Sequence, residues 1–168
     1  FQIGSLSKAF TALGILLLED EHKIDLSAPV TRYIPWFSVS YEGKQINPDD
    51  LTIEDLLHQT SGFTNDEKRH PRADNNKTLE ENIKQINNSE LSFYPSEQYA
   101  YSNTNYYLLG YIIEVVSGKP YQNYMRDAIF KPLGLNHTYA APEYVSDKTQ
   151  LVPGHRLSFL GARPYVLP

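Results

Sequence analysis

The sequence predicts a chain built mainly of helices and loops, with few strands. Three observations lead to this prediction: apolar residues recur at helical spacing in several segments, two threonines stand where helix N-caps are expected, and prolines interrupt the segments between. With 40% hydrophobic and 21% charged residues, the 168-residue chain has the composition of an ordinary globular protein. It is long enough for one domain with its own core.

The first predicted helix begins near Ser5 and has an unusually wide apolar surface. Leu16 and Leu18 extend this surface around almost the whole helix, and helices of that kind are usually buried in a large domain. One side of the helix is marked by Phe10, Leu13, Leu17 and Ile24.

The next part of the chain alternates between irregular and helical segments. Prolines forbid regular helix over residues 28–48. A second helix is expected after Thr52, a favourable N-cap, and it should end by Gly62. Residues 64–78 are polar and charged, which predicts an exposed loop.

Three further helices are expected in the second half. Thr78 and Glu81 have the spacing of a capping box, which opens a short helix. A longer helix should start at about Asn103 and end at Gly118, a residue type typical of the position after a helix. The last helix is predicted over residues 121–130. Ile83 and Ile86 of the short helix are predicted to face inward. Apolar residues at helical spacing in the longer helix are Tyr107, Leu108, Tyr111, Ile112 and Val115.

The composition also excludes several kinds of function. The absence of cysteine excludes thiol catalysis, disulfides and thiolate metal sites. A net charge of −5 without a Lys/Arg cluster argues against nucleic acid as a partner. No apolar run approaches the roughly 18 residues of a membrane span. The histidines lack ligand spacing, so no metal site and no cofactor is predicted; they are His22, His58, His70, His137 and His155. His155 is expected in a surface loop.

The sequence begins within an apolar segment and ends without a polar tail. Phe1 already reads as part of a structured element, and the last residues up to Pro168 form no polar tail. We therefore expect the chain to be a piece of a longer protein, in which a signal peptide could not be recognised from these residues.

Ser5 and Lys8 form an S-x-x-K pattern at the start of the first helix. Residues three apart share a helix face, so the hydroxyl and the amine can meet. A serine hydroxyl is a weak nucleophile that needs an adjacent base, and a neutral lysine can serve. The helix N-terminus also directs backbone N–H groups at an oxygen that becomes negative during attack. The alternative is that Ser5 is only an N-cap, since the pattern is short and common.

A second candidate pattern is Y-x-N, which occurs twice. Tyr101 and Asn103 match it just ahead of the long helix, and Tyr121 and Asn123 match it again. A phenol near an ammonium ionises more easily and can pass protons, and an amide can hold a lysine or a substrate amide. Spacing alone does not choose between the two tyrosines.

Longer segments around these patterns resemble a known family. Residues 1–10, 51–63, 101–110 and 130–135 are, in this order, similar to segments of the class C β-lactamases, their low-molecular-mass penicillin-binding relatives and related esterases. The likeness extends from residue 1 to about 138. It favours the pattern at Tyr101 over the one at Tyr121.

The resemblance implies an α+β fold of the β-lactamase/transpeptidase type, with an antiparallel sheet flanked by helices beside a mainly helical subdomain. In that reading the chain is a partial catalytic domain: residues 1–25 are the nucleophile helix, residues 26–145 the helical subdomain, and residues 146–168 the start of the return to the sheet domain. Most sheet strands would then lie before Phe1 and after Pro168.

The resemblance also implies roles for the site residues. Ser5 would be the nucleophile that forms an acyl-enzyme, and its backbone N–H would supply half of the oxyanion hole. Lys8 would accept the proton or activate the serine electrostatically, and Tyr101 would relay protons. Asn103 would bind the amide of the acyl side chain.

Two departures from the family pattern matter. The third motif, a Lys or His followed one residue later by Gly, would lie beyond Pro168, together with the second oxyanion donor. Relatives usually have His where this chain has Gln59, and His58 stands one place early. That position is not catalytic in the usual scheme.

The implied activity is that of a serine hydrolase acting on β-lactams or D-alanyl peptides, a small-molecule or peptide acyl substrate. One alternative is an esterase or D-amino-acid amidase on the same scaffold, and another is a non-catalytic binding or regulatory relative. The resemblance also implies an extracytoplasmic location, whereas the oligomeric state stays open.

Overall fold

Helices and short strands alternate along the computed structural model, which describes residues 2–65, 77–141, 144–145, 149, 154–158 and 161–165. The described helices are α1 Ser7–Asp20, α2 Ile53–His58, α3 Leu79–Ile86, α4 Asn103–Ser117 and α5 Tyr121–Met125, which continues as a π-helical turn over Arg126–Phe130. The described strands are β1 Val39–Tyr41, β2 Lys44–Gln45, β3 Ser89–Glu90, β4 Gly154–Ser158 and β5 Gly161–Tyr165. This mixture confirms the α+β class and the prediction that helices dominate.

Helix α4 lies at the centre of the core, where it contacts α1, α2, α3 and α5. Its inner face is fully buried at Leu108, Leu109, Ile112 and Ile113. Burying each such side chain stabilises the fold by about 1.5–3 kcal/mol, so α4 is the element on which the others are assembled. Of the apolar residues at helical spacing, Leu108 and Ile112 are thus buried, whereas Val115 is 44% exposed.

Helix α1 packs one of its apolar faces into the core. Ile15 and Leu18 are fully buried, because the side that carries them packs against α4 and α5. Leu13 and Leu16, by contrast, are 37% and 45% exposed. With apolar residues nearly all round α1, the packing partners select which face is buried within the described residues. Ile24 is buried but lies beyond the end of α1.

The helix ends follow the predicted capping residues. Thr52 and Thr78 each cap their helix through a capping box, in which the threonine oxygen accepts a backbone N–H and the third helical residue, Asp55 or Glu81, reaches back to the cap. Gly118 ends α4 with a left-handed backbone. These predictions are confirmed because capping depends on only a few neighbouring residues.

The strands form two small sheets that the sequence analysis did not predict. Strand β1 pairs with β2 in antiparallel fashion and with β3 in parallel, so part of the predicted irregular stretch over residues 28–48 is a hairpin. Strands β4 and β5 pair antiparallel, with Arg156 opposite Arg163. His155 lies in β4, so its predicted place in a loop is wrong.

The predicted exposed loop over residues 64–78 lies mostly outside the described residues, and so does His70. Among the helices that the structure describes, none has the length and apolar character needed to cross a bilayer.

Candidate active site

Ser5 lies in a single 3₁₀ turn, Gly4–Leu6, immediately ahead of α1. Gly4 has a φ of +54°, a left-handed conformation that glycine adopts without steric cost. The Ser7 hydroxyl donates to the Gly4 carbonyl at 2.6 Å and holds the turn against the helix. Ser5 is therefore exposed at the positive end of α1, where backbone N–H groups favour negative charge.

The Ser5 hydroxyl contacts both of its predicted partners. Its Oγ lies 2.6 Å from the phenol oxygen of Tyr101, and the Lys8 ammonium donates to it at 3.1 Å. Either hydroxyl can donate in the contact between Ser5 and Tyr101, and when Tyr101 is ionised the serine proton is directed at its oxygen. The arrangement provides a proton acceptor in line with the hydroxyl that would be deprotonated.

Asn103 completes the cluster as the first residue of α4. Its Oδ1 accepts a hydrogen bond from Lys8 Nζ at 2.7 Å and lies 3.4 Å from the Tyr101 hydroxyl. Lys8 is thus held between the Asn103 amide and the Ser5 hydroxyl. The four side chains singled out in the sequence form one hydrogen-bonded group in the structure.

The surroundings of Tyr101 favour its ionised form. Burial by itself raises the pKa of Tyr101, but the hydrogen bonds from Lys8 and Ser5 and the charge of Lys8 outweigh burial, so that the pKa falls below the usual 10.0. The Lys8 Nζ also lies 4.9 Å from the centre of the Tyr101 ring and 5.5 Å from that of Tyr106. Tyr106 behaves in the opposite way, because burial, followed by the neighbouring phenols of Tyr101 and Tyr99, raises the pKa of Tyr106.

A cleft of about 470 Å³ runs from Ser5 between α1 and α4. Among the described residues that line it, Lys8 alone has a charged side chain, and three tyrosines contribute much of the wall. A concave site of this size, with aromatic walls and one positive charge, suits a small-molecule ligand. The lining residues are Gly4, Ser5, Ser7, Lys8, Thr11, Leu79, Asn103, Tyr106, Tyr107, Gly110, Tyr121 and Ala140.

Tyr121, the rival match to the Y-x-N pattern, does not reach the cluster. Its hydroxyl hydrogen-bonds Thr11 Oγ1 at 2.7 Å, one to two helical turns along α1 from Ser5. Burial raises the pKa of Tyr121, with the Thr11 hydrogen bond acting in the other direction. Its partner in the pattern, Asn123, accepts from Arg126, so this second match serves packing between α5 and α1.

The sequence analysis missed a buried polar group behind Tyr101. Gln59 and Asn105 are 7% and 0% exposed, and the Asn105 amide donates to Gln59 Oε1 at 2.6 Å. A signal was available: Asn105 lies three and four positions before Leu108 and Leu109, on the buried face of α4. A polar residue on such a face needs a buried partner.

Within the ranges that the structure describes, no three His, Asp or Glu side chains come together as a metal site would require. The cluster itself consists of a hydroxyl, an amine, a phenol and an amide. This set of groups is suited to proton transfer around a nucleophilic serine.

Comparison with known proteins identifies the family of this chain. The family model for beta-lactamase matches residues 1–152, and the chain belongs to the beta-lactamase family. Protein flp of Staphylococcus aureus strain MW2 is 38% identical over 139 residues, which cover 82% of this chain and 27% of that protein.

Two solved structures are similar over nearly the whole chain. D-amino acid amidase from Ochrobactrum anthropi SV3 superposes with a TM-score of 0.78 at 28% identity, covering 98% of this chain and 46% of the amidase. The octameric penicillin-binding protein homologue from Pyrococcus abyssi gives a TM-score of 0.74 at 30% identity, covering 99% and 39%. The chain thus spans about a quarter of the length of its curated relative and under half of each of these structures.

Proposed function

We propose that the protein is a serine hydrolase that forms an acyl-enzyme at Ser5. The observation that supports this most directly is the contact of Ser5 Oγ with both the Tyr101 phenol, at 2.6 Å, and the Lys8 amine, at 3.1 Å. A serine hydroxyl in an ordinary structural role needs one hydrogen-bond partner, whereas nucleophilic catalysis needs a proton acceptor and a group that stabilises charge beside it.

In the proposed acylation, Ser5 Oγ attacks a carbonyl carbon while its proton passes to the ionised Tyr101 oxygen. The positive charge of Lys8 stabilises the phenolate before this step and the developing alkoxide during it. Tyr101 then gives the proton to the departing amine or alkoxide, the bond from the carbonyl carbon to that group breaks, and an ester to Ser5 remains. A water molecule then loses a proton to Tyr101 and adds to the ester carbon. The bond from that carbon to Ser5 Oγ breaks, Tyr101 returns the proton to Ser5 Oγ, and the carboxylic acid leaves.

Asn103 is proposed to serve two purposes. Its Oδ1 holds Lys8 at 2.7 Å, and its amide N–H₂ group can donate a hydrogen bond to a substrate carbonyl. The Ser5 backbone N–H is proposed as one oxyanion donor, in keeping with its place at the start of α1.

β-Lactams and D-alanyl peptides are the proposed acyl substrates, in an extracytoplasmic setting. The similarity to a D-amino acid amidase supports a second candidate, an amidase or esterase. Both candidates share acylation at Ser5, and they differ in the leaving group and in how fast the acyl-enzyme is hydrolysed.

A covalent labelling experiment tests the proposal. In the natural full-length protein, a fluorescent penicillin should attach to Ser5, as located by peptide mass spectrometry. The Ser5→Ala variant should lose the label, whereas Ser117→Ala, which removes a half-buried hydroxyl that bonds the Lys119 backbone at the end of α4, should keep it.

Turnover assays separate the candidates. Rapid hydrolysis of p-nitrophenyl acetate or D-phenylalanine amide, with little penicillin labelling, would identify the esterase or amidase. If none of the three compounds acylates Ser5 in the folded protein, the hydrolase proposal is wrong and the non-catalytic relative is favoured.

A further inference from the structure

Gln59 is a buried amide at the C-terminal end of α2, with a left-handed backbone at φ 63° and ψ 34°. Its side chain is directed at the segment that carries Tyr101, although the residue does not touch the cleft. We propose that Gln59 is a positioning residue, which fixes Tyr101 and Asn103 against the Ser5 and Lys8 side chains. This inference rests on the proposed acylation at Ser5.

Gln59 holds the chain on both sides of Tyr101. Its backbone carbonyl accepts the N–H of Ala100 at 2.9 Å, and its side-chain Oε1 accepts the N–H of Ser102 at 2.9 Å. The two residues that flank the phenol are therefore bound to a single residue of another element. Because hydrogen bonds weaken steeply with distance and angle, this double attachment determines whether the phenol reaches Ser5 at 2.6 Å.

The Gln59 side chain is itself held by a chain of hydrogen bonds with one possible direction. The Phe63 N–H donates to Ser61 Oγ at 3.2 Å, and the Ser61 hydroxyl donates to Asn105 Oδ1 at 2.6 Å. The Asn105 N–H₂ group then donates to Gln59 Oε1 at 2.6 Å, where it meets the Ser102 N–H. Backbone N–H groups at both ends can only donate, so the orientation of both amides follows.

This series of hydrogen bonds requires an atom at position 59 that accepts two hydrogen bonds. An amide oxygen has two lone pairs, whereas a neutral imidazole offers one acceptor nitrogen with one lone pair. Relatives in the beta-lactamase family usually have histidine at this position. In this chain a histidine would leave either the Ser102 N–H or the Asn105 amide buried without its partner. Such a group costs about 1–3 kcal/mol, so in this chain Gln59 and Asn105 form a matched pair.

The test uses three substitutions at position 59 in the natural full-length protein. Gln59→Met keeps the size but removes the acceptor, Gln59→Glu keeps an oxygen with the required lone pairs, and Gln59→His keeps one acceptor. His58→Met is the matched control, because His58 is the preceding residue and its side chain is 66% exposed. The rate of Ser5 acylation by a fluorescent penicillin or p-nitrophenyl acetate is measured against pH, with thermal unfolding recorded for each variant.

We expect Gln59→Met to slow acylation about 10- to 100-fold, the size of effect that follows from misplacing a catalytic group by about 1 Å. The rising limb of its pH profile should move to higher pH, because a displaced phenol loses the Lys8 and Ser5 contacts that lower the pKa of Tyr101. Lys8 on α1 and Tyr106 on α4 are the other titratable groups that face this phenol in the described part of the chain, and both stay in place. Gln59→Glu should retain most of the rate, Gln59→His should be intermediate, and His58→Met should equal the wild type.

If Gln59 had only a structural role, its substitution would lower the unfolding temperature without shifting the rising limb of the pH profile of acylation. The inference is overturned if folded Gln59→His or Gln59→Met protein acylates Ser5 at the wild-type rate with an unchanged limb. Failure of the wild-type protein to acylate at all is a different result, since it overturns the proposed function and this inference with it.

Discussion

Among the 13 tyrosines of the sequence, the surroundings of each phenol determine its chemistry. Burial raises the pKa of Tyr106 and of Tyr121, which keeps both phenols protonated. Burial acts on Tyr101 in the same direction, but the Lys8 and Ser5 hydrogen bonds and the Lys8 charge reverse the outcome. The pKa of one tyrosine is thereby lowered while the pKa values of its two neighbours are raised.

Replacing Lys8 should therefore raise the pKa of Tyr101. In Lys8→Met the phenolate loses a hydrogen bond and a positive charge, whereas burial continues to favour the neutral phenol. The ionisation can be followed by NMR of protein carrying ¹³C-labelled tyrosine, with the Tyr101 signal assigned from Tyr101→Phe. The matched control is Lys84→Met, since Lys84 pairs with Glu80 on α3, and it should leave the Tyr101 signal unchanged. An unaltered Tyr101 titration in Lys8→Met would contradict the electrostatic account of the site.

At the level of helices and turns, two glycines show different constraints. Gly118 ends α4 at φ +67°, and a Cβ placed there would meet nothing within 4 Å. Gly62 follows α2 at φ +89°, and a Cβ there would lie 2.3 Å from the Phe93 carbonyl oxygen. Both positions would strain a residue other than glycine through their left-handed backbone. Of the two, only Gly62 would in addition bring a Cβ against another backbone segment.

Alanine should consequently be tolerated at one position and not at the other. Gly118→Ala should lower the free energy of unfolding by about 1–2 kcal/mol, the cost of a left-handed alanine. Gly62→Ala should lower it by about 2–5 kcal/mol, because overpacking against a backbone oxygen adds to the same strain. Urea denaturation followed by circular dichroism gives both values. Equal losses for the two variants would show that the Phe93 contact relaxes without cost.

The molecule as a whole leaves one face of α1 uncovered. Leu6, Leu13 and Leu16 are 71%, 37% and 45% exposed on the side away from the buried Ile15 and Leu18. The chain spans 27% of the length of its curated relative. We expect a sheet of the family fold to pack on this face in the longer protein, and the isolated segment to fold poorly and to be inactive.

Residues 1–168 produced alone should bind the dye ANS through this apolar face, and the natural full-length protein should bind much less. Leu13→Gln with Leu16→Gln should reduce the dye fluorescence of the segment and destabilise the full-length protein, because buried leucines in a core typically contribute about 2–5 kcal/mol. Leu133→Gln, at a residue that is 60% exposed and lies outside α1, is the control. Cooperative unfolding and normal acylation by the isolated segment would refute the expectation.

Much of the helical structure was predictable, because its signals act over a few residues. Thr52 and Thr78 begin their helices by local hydrogen bonding, and Gly118 ends α4 by its backbone preference. These boundaries could therefore be read without knowledge of the fold. The small strands were not predictable, since β1 and β3 lie about 50 positions apart along the chain and each has only two or three residues. Their pairing depends on where the helices between them place the two ends.

The sequence alone sufficed for the family and for the identity of the four clustered side chains. Both were readable because the family segments and the S-x-x-K pattern are defined by residue types and their spacing along the chain. Three features required the folded chain: the buried face of α1, the distance at which Tyr101 contacts Ser5, and the hydrogen bonds of Gln59. Tyr101 and Ser5 are 96 positions apart, and Gln59 and Asn105 are 46 apart. Contacts across such separations arise from the packing of whole helices, which no short pattern encodes.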